Sequence, residues 1–273
     1  MLALAVILAA GLAVGLWQVS AGASPAPGPS GVAIPRSAPS GWKIVYEDWF
    51  GGNSLGSIWQ TYSGQPGKDP GGWWDPSHDV VTGNELQLQA YPDAAHCPRA
   101  DGCQSYDDEV AGGVKLGITR TYGRYLVRMR AGNAQGVSIV ALLWPADDQG
   151  PPEIDFAEDN GSTPRSLDTV TFHYGDPERA IRYTLHVNMA RWHTYGVQWT
   201  PGKIVYTIDG RAWATIRNAA VPSQPMNLAI QDQTWDCGLS WEQCAGNGPA
   251  PSANLDVAWV VVEAPTAGAA AKG

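Results

Sequence analysis

Residues 153–158 read Glu-Ile-Asp-Phe-Ala-Glu, three acidic residues with only apolar residues between them. Side chains alternate between the two faces of a β-strand, so Glu153 and Asp155 share one face while the apolar residues beside them face a core. A regular strand would turn Ala157, not Glu158, toward the acidic face. One extra residue after Asp155, a β-bulge, brings Glu158 onto that face. The stretch therefore predicts a bulged strand with one acidic and one apolar face.

The three carboxylates on one strand face indicate a function in catalysis. Such carboxylates repel one another and raise one another's pKa, and no fold needs them for stability. Glycosidic cleavage does need them, because one carboxylate is the nucleophile and a second carboxylic acid donates a proton. We predict Glu153 as nucleophile, Glu158 as acid/base, and Asp155 as the residue that keeps Glu153 ionised. The alternative, a solvated acidic edge strand, is disfavoured by the Trp and Pro residues nearby.

The spacing of the two glutamates favours a retaining reaction. Glu153 and Glu158 lie about four effective strand steps apart, roughly 13 Å between their Cα atoms. Side chains that lean toward each other reach the spacing of roughly 5 Å typical of retaining enzymes. The wider spacing of an inverting enzyme is the open alternative.

Alternation of polar and apolar residues recurs along most of the chain. Turn signals such as Pro201-Gly202 and Asp209-Gly210 separate the runs, and no convincing helical period or internal repeat follows residue 24. This pattern predicts an all-β, antiparallel sandwich of two sheets. The predicted strands span 43–49, 85–91, 122–131, 137–144, 153–158, 168–174, 181–187, 193–200, 203–209, 226–231 and 255–262.

With these residues in view, the sequence resembles glycoside hydrolase family 16, in the bulged Glu-x-Asp-x-x-Glu form of its laminarinase-like members. The resemblance covers roughly residues 42 to 263. Three departures are Leu126 in place of Glu, Pro152 in place of Gly, and residues 111–115, which match the family's Ser-Gly-containing strand only loosely. They leave the acids intact, but the substrate preference stays open. Further matching stretches are Tyr-Gly-Arg-Tyr at 122–125, Leu-Trp-Pro at 143–145, Thr-Phe-His-Tyr at 171–174 and the run from Trp192 to Pro201.

The resemblance implies a concanavalin-like jelly roll whose concave sheet carries the acids and a sugar cleft. It implies that His173 lines the site, with a satisfied histidine at a sheet surface as the alternative. It also implies sugar contacts from Gln231 and Trp235, near a strand end. Trp144 is a further cleft candidate, because an indole face stacks on the apolar face of a sugar ring. Trp73 and Trp74, with Asp75, lie in a Gly-rich loop before the predicted strand at 85–91 and either shape the non-reducing end of the cleft or pack the loop.

Composition limits the class of partner. The chain has 273 residues, enough for one large β domain, and 13 Trp against 3 Phe. A net charge of −9 with 17 Lys and Arg disfavours nucleic acid and anionic membrane surfaces as partners. A neutral polysaccharide fits this charge, and we expect a monomer.

The N-terminal segment predicts export. Residues 1–23 are predicted to be a signal peptide, because an apolar run is followed by a small-residue site near Ala23. No Lys or Arg precedes Arg36, so a retained membrane anchor is the alternative. Either reading places the domain outside the cytoplasm, secreted or on the outer face of the membrane. The remaining predicted segments are a Pro/Ser/Gly/Ala-rich linker at 24–41, the catalytic domain at 42–263 and a disordered tail at 264–273.

Four cysteines suit an oxidising compartment. Three pairings are open, and two local bridges, Cys97–Cys103 and Cys237–Cys244, are favoured by sequence proximity. A zinc site is disfavoured, because neither pair has CxxC spacing. No cofactor is expected to be required, although the resemblance admits a structural calcium ion, with Asp256 and Glu47 as candidate ligands.

The expected function is that of a secreted, retaining endo-glycosidase that hydrolyses a β-linked polysaccharide, foremost β-1,3-glucan. One alternative is a non-catalytic carbohydrate-binding protein on the same fold, which the intact acids disfavour. A second is a transglycosylase, which shares the covalent intermediate but passes it to a sugar. The sequence does not separate that alternative from hydrolysis.

Overall fold

The computed structural model describes residues 28–66, 72–93, 95–96, 110–235, 237–238, 241–245 and 252–267. All regular elements of these residues are β-strands except one short 3-10 helix at Pro76–His78. None of them forms a helix long and apolar enough to cross a membrane, and the predicted export segment lies outside the described part of the chain.

Two large antiparallel sheets face each other, with strands numbered in chain order. The outer sheet contains, in spatial order, β15 (Arg211–Arg217), β14 (Lys203–Ile208), β13 (His193–Thr200), β8 (Gly123–Ala131), β17 (Ala253–Pro265), β5 (Glu85–Ala90) and β4 (Asp79–Thr82), and β1 (Trp42–Asp48) also pairs with β17. The inner sheet contains β12 (Arg179–His186), β11 (Leu167–Tyr174), β10 (Glu153–Glu158), β9 (Val137–Pro145), β16 (Met226–Thr234), β7 (Gly113–Leu116) and β2 (Trp59–Thr61). A small parallel pair joins β3 (Trp73–Trp74) to β6 (Val110–Ala111).

The core lies between the two sheets, and β10 contributes to it as the alternation predicts. Ile154 and Phe156 are 0% and 1% exposed and belong to the main hydrophobic cluster. The partner strand β11 contributes Val170 and Phe172 to the same cluster. The acidic residues of β10 consequently project from the other face of the inner sheet, away from the core.

The predicted β-bulge is confirmed. Asp155 pairs with Thr171 and Glu158 pairs with Thr169, so three residue steps on β10 match two steps on β11. The register against β9 also shifts, between Asp155 and Ala157. This extra residue is what returns Glu158 to the face occupied by Glu153.

The segment 28–41 differs from the flexible linker expected from its composition. Ile34 is buried against the outer sheet, the Trp259 indole donates to the Val32 carbonyl at 3.0 Å, and Arg128 donates to the Ser30 carbonyl at 3.3 Å. This Pro- and Gly-rich stretch lacks regular strands, yet its Ile34 side chain and two of its carbonyls contact the domain. At the other end, β17 reaches Pro265, two residues past the predicted domain boundary.

Candidate active site

The three acids lie near the middle of the inner sheet, at the edge of a cleft. Glu153 and Glu158 line this cleft, which has a volume of about 440 Å³. Asp155 lies between them in the sequence of the strand and is only 2% exposed. The bulge thus sets two glutamates at the cleft surface with a buried aspartate between them.

Burial and mutual repulsion change the acidity of this row. Burial, followed by the charge and hydrogen bond of Asp155, raises the pKa of Glu153. Burial, followed by the charge of Asp155, likewise raises the pKa of Glu158 well above its ordinary value. Because the three carboxyls cannot all ionise in a site with little water, the row retains protons at neutral pH. It therefore holds the proton that a general acid needs.

The electrostatic effect of Asp155 differs from the sequence-based expectation. Asp155 was expected to favour the ionised form of Glu153, whereas its charge favours the protonated form. The reason is that both groups are removed from water, so two adjacent negative charges are unfavourable. The carboxyls of Glu153 and Asp155 are in hydrogen-bonding contact, and this contact also favours the protonated form of Glu153.

His173 contacts two carboxylates beside the acidic row. Its Nε2 lies 3.3 Å from Asp155 Oδ2 and its Nδ1 lies 2.7 Å from Glu178 Oε1. Burial by itself lowers the pKa of His173, but the hydrogen bonds and charges of Asp155 and Glu178 outweigh burial and raise it. The imidazole was expected to line the cleft for sugar; instead, both ring nitrogens are engaged with carboxylates. His173 lies on β11, where it pairs with Glu153 of β10, and its ring lies beside Asp155.

The three other sugar-contact candidates all line the cleft, together with the glutamates. Trp235 donates from its indole nitrogen to Ser138 Oγ at 2.5 Å, and Gln231 donates to Gln233 Oε1 at 3.3 Å. Trp144 packs against Gly150, where an added Cβ would lie 2.4 Å from the ring carbon Cη2. Each candidate side chain is thus held in one position by a named contact.

The fold and this site match a known family. The family model of glycosyl hydrolases family 16 matches residues 74–260. The chain belongs to this family.

The chain is similar to curated proteins whose names describe reactions on glycans. Xyloglucan endotransglucosylase/hydrolase protein 3 of Arabidopsis thaliana is 30% identical over 151 residues, 52% of this chain and 50% of that protein. Endo-1,3-1,4-beta-glycanase EglC of Rhizobium meliloti (strain 1021) is 28% identical over 194 residues, 59% of this chain and 42% of that protein. The chain therefore spans half or less of the length of these relatives.

Solved structures confirm the jelly-roll sandwich. The endo-beta-1,3-glucanase from Pyrococcus furiosus superimposes with a TM-score of 0.68 at 17% identity, covering 82% of this chain and 95% of that one. The laminarinase from Rhodothermus marinus gives a TM-score of 0.66 at 21% identity, covering 82% and 98%. At these identities the likeness establishes the fold alone.

Part of the wall of this family 16 cleft was not predicted from the sequence. Lys115 and Asp148 face each other at 3.1 Å, and both line the cleft. Tyr62 packs on Trp74 with ring centroids 4.9 Å apart, and both side chains line the cleft. This position agrees with the first of the two alternatives predicted for Trp74, that it shapes the cleft. For Trp74 the signal was its aromatic type in a Gly-rich region. Lys115 and Tyr62 carry no comparable local signal.

Two aspartates, the buried Asp232 and the half-buried Asp79, hold the strand that carries Lys115. Asp232 accepts from the Gly112 amide and Asp79 accepts from the Gly113 amide, each at 2.8 Å. A Cβ on Gly112 would lie 2.8 Å from Asp79 Oδ1, so only glycine allows this approach. Burial is the main cause that raises the pKa of Asp79 to about 8 and of Asp232 to about 7.

The candidate calcium ligands do not form a common site. Asp256 Oδ2 is 2.8 Å from Arg130 Nε, and Glu47 Oε1 is 2.5 Å from Arg36 Nη1. Glu47 pairs with Val261, five residues along β17 from Asp256, or roughly 16 Å. In the described part of the chain, no three His, Cys, Asp or Glu side chains converge as a metal site would require.

The predicted Cys237–Cys244 disulfide is confirmed, with 5.0 Å between the two Cα atoms. Cys97 and Cys103, the other predicted pair, lie outside the described residues.

Proposed function

We propose that the chain is a retaining endo-glycosidase that hydrolyses a β-linked glucan, with β-1,3-glucan as its substrate. The observation that carries the proposal is the acidic row itself. Two glutamates with raised pKa flank a buried aspartate at a cleft that Trp144 and Trp235 line. Membership of family 16 supports the same reaction class.

In the first step, Glu153 attacks the anomeric carbon while Glu158 gives its proton to the departing glycosidic oxygen. Glu158 is suited to this task because burial and the charge of Asp155 favour its protonated form. Its Oε2 atom is buried and has no hydrogen-bond partner among the described residues, so this atom is available to donate a proton to the glycosidic oxygen. Glu153 attacks in its ionised form, and its raised pKa makes that form the minor one at neutral pH.

In the second step, Glu158 is a carboxylate and removes a proton from water, whose oxygen attacks the anomeric carbon. The bond between that carbon and Glu153 breaks, and the sugar leaves with its original configuration. Asp155 and His173 position Glu153 throughout. The ion pairs of His173 with Asp155 and Glu178 hold the aspartate side chain in place.

The substrate assignment draws on the cleft and on named neighbours. Aromatic side chains, Trp144, Trp235, Tyr62 and Trp74, offer faces for stacking on uncharged sugar rings. The acidic row and the net charge of −9 disfavour polyanionic glycans. Several similar structures are endo-1,3-β-glucanases by name, which makes β-1,3-glucan the first substrate to test.

Transglycosylation is the second candidate, and one curated relative, an endotransglucosylase/hydrolase by name, favours it. Both reactions share the first step and differ only in whether water or a sugar hydroxyl attacks the intermediate. Product sizing with and without added oligosaccharide acceptors separates them. We further propose that the protein acts outside the cytoplasm, which N-terminal sequencing of the exported protein tests.

The proposal is tested by incubating the protein with laminarin, lichenan, agarose, carrageenan and galactan and sizing the products. Glu153→Ala and Glu158→Ala are each expected to abolish cleavage with unchanged melting temperature, since both side chains line the cleft and leave no core cavity. Glu47→Ala, on β1, is the control and keeps full activity. In a retaining β-enzyme, azide restores turnover as an α-glycosyl azide for Glu153→Ala and a β-glycosyl azide for Glu158→Ala. Near-wild-type turnover by either variant contradicts the assignment.

A further inference from the structure

The cleft described above occupies only one side of the acidic row. Its residues from the inner sheet come from β10 and from strands on one side of it, β9, β16 and β7, and Trp74 comes from β3. An endo-acting glycosidase holds sugars on both sides of the bond that it breaks. The other side of β10 is formed by β11 and β12, so the missing contacts must come from these strands and from segments that cover them.

Arg182 on β12 lies on the acidic face of the sheet. Asp155 pairs with Thr171 and Thr171 pairs with Arg182, and directly paired residues project from the same face. Arg182 is therefore two strands, roughly 10 Å, from the acidic row. Its Nε donates to Thr171 Oγ1 at 3.2 Å, which directs the guanidinium toward the acids.

The guanidinium has further donors. It carries five N–H groups, and Thr171 is its one acceptor within the described part of the chain. The side chain is exposed, so these donors face the solvent beside the acidic row. Its charge also acts on Glu158, lowering the pKa of that carboxyl against the larger effect of burial.

Trp241 covers Arg182. The guanidinium carbon lies 4.7 Å from the centre of the Trp241 ring. The Trp241 carbonyl accepts from the Asn160 side chain at 2.9 Å, and the Asn160 carbonyl accepts from the Gln243 amide at 2.8 Å. Because Asn160 follows Glu158 by two residues and the Cys237–Cys244 disulfide closes the segment, the indole is anchored beside the acid/base.

We infer that Trp241 and Arg182 form a subsite for the sugar on the leaving-group side of the scissile bond. We name this pair the leaving-group subsite; the inference rests on the proposed glycosidase function. The indole packs against the apolar face of a neutral sugar ring, and the guanidinium donates to its hydroxyl groups. When the glycosidic C–O bond breaks, Glu158 gives its proton to the departing oxygen and Glu153 bonds to the anomeric carbon. The released sugar is the one held by Trp241 and Arg182.

The test compares two substrates of the full-length protein. Laminaripentaose loses a sugar leaving group, whereas β-laminaribiosyl fluoride loses fluoride, which needs neither the subsite nor a proton from Glu158. Trp241→Ala and Arg182→Gln are each expected to lower kcat/KM for laminaripentaose roughly two- to tenfold, the range of one aromatic contact. Both variants are expected to leave kcat/KM for the fluoride unchanged.

A matched control is available on the far side of the domain. Trp49 is 37% exposed and also has an arginine, Arg36, over its ring at 5.7 Å. Trp49→Ala removes the same kind of surface pair and is expected to leave kcat/KM unchanged for both substrates. Trp241→Phe, which keeps an aromatic face, is expected to recover most of the lost activity.

The outcomes separate the two proposals. Equal decreases of kcat/KM for both substrates indicate that Trp241 only supports the fold of the site, and they overturn the leaving-group subsite. Unchanged activity on laminaripentaose in both variants overturns it as well, while the glycosidase assignment stands. Wild-type protein that turns over neither substrate overturns the proposed function, and the subsite with it. A melting temperature within the wild-type range confirms that each variant is folded.

Discussion

Asp155→Asn is the substitution that most directly tests the electrostatics of the acidic row. Asparagine keeps the size of the side chain and one hydrogen-bonding oxygen but removes the charge. In the wild type that charge raises the pKa of Glu153 and of Glu158 and pairs with His173. Its removal is expected to shift both glutamates toward lower pKa values and to weaken the hold on Glu153.

The register gives the size of the shift. Asp155 pairs with Thr171 and Glu158 with Thr169, so the two acids lie two strand steps apart, about 6.6 Å. At an effective dielectric constant of about 20, one charge at that distance changes the free energy of ionisation by roughly 2.5 kcal/mol, or nearly two pH units. The loss of one charge-assisted hydrogen bond, about 1.5–3 kcal/mol, lowers kcat roughly 10- to 150-fold.

The assay is the pH dependence of kcat/KM on laminarin, measured with the melting temperature. Both limbs are expected to move to lower pH by roughly one to two units, because Glu153 ionises and Glu158 loses its proton at lower pH. Asp48→Asn is the control: Asp48 accepts from the Phe50 amide and the Trp59 indole, away from the cleft. It is expected to lower the melting temperature and leave the profile in place. The same result for Asp155→Asn would refute the electrostatic role.

Two further predictions concern the cleft wall and its support. Gly150→Ala is expected to raise KM for laminarin roughly two- to tenfold with little change in kcat, because its Cβ would displace the Trp144 ring; Gly56→Ala, whose Cβ meets no atom within 4 Å, is the control. Since the folded-state pKa of Asp79 is raised from 3.8 to about 8, the stability that its protonated form contributes is present below about pH 4 and is lost as the pH rises to 8. Asp79→Asn is therefore expected to reduce the fall in melting temperature between pH 5 and pH 8, and an undiminished fall contradicts the assignment.

The long strands were predictable because their alternation is local. Each of the eleven predicted runs overlaps a strand, and β10 begins and ends at the predicted residues. The strands that were not predicted include β2, β3 and β6, which have only two or three residues and cannot display a period. Strand β15 follows the predicted Asp209-Gly210 turn and buries Ala214 and Ile216 on one face, but three consecutive apolar residues at 212–214 obscure the alternation in its sequence.

The catalytic candidates were predictable because six consecutive residues carry both the chemistry and the bulge. The opposite wall of the cleft was not, because it depends on pairing between distant segments. Strand β7 pairs with β16 more than a hundred residues away, through contacts such as Lys115 with Ala229. Nothing in the sequence near Lys115 indicates that pairing, or the ion pair with Asp148 that follows from it.

The predicted effect of Asp155 on Glu153, a lowering of its pKa, was wrong for a related reason. A sequence shows that an acid lies between two others, but not how much water reaches them. In an exposed row, hydrogen bonding dominates and an aspartate can favour an ionised neighbour; in a buried row, repulsion between charges dominates. Because Asp155 is 2% exposed, the second case holds here. The burial that favours the protonated form of Glu158, as its proposed acid/base role requires, also makes its ionisation unfavourable for the fold, so the proposed chemistry and alkaline stability are opposed in the same residues.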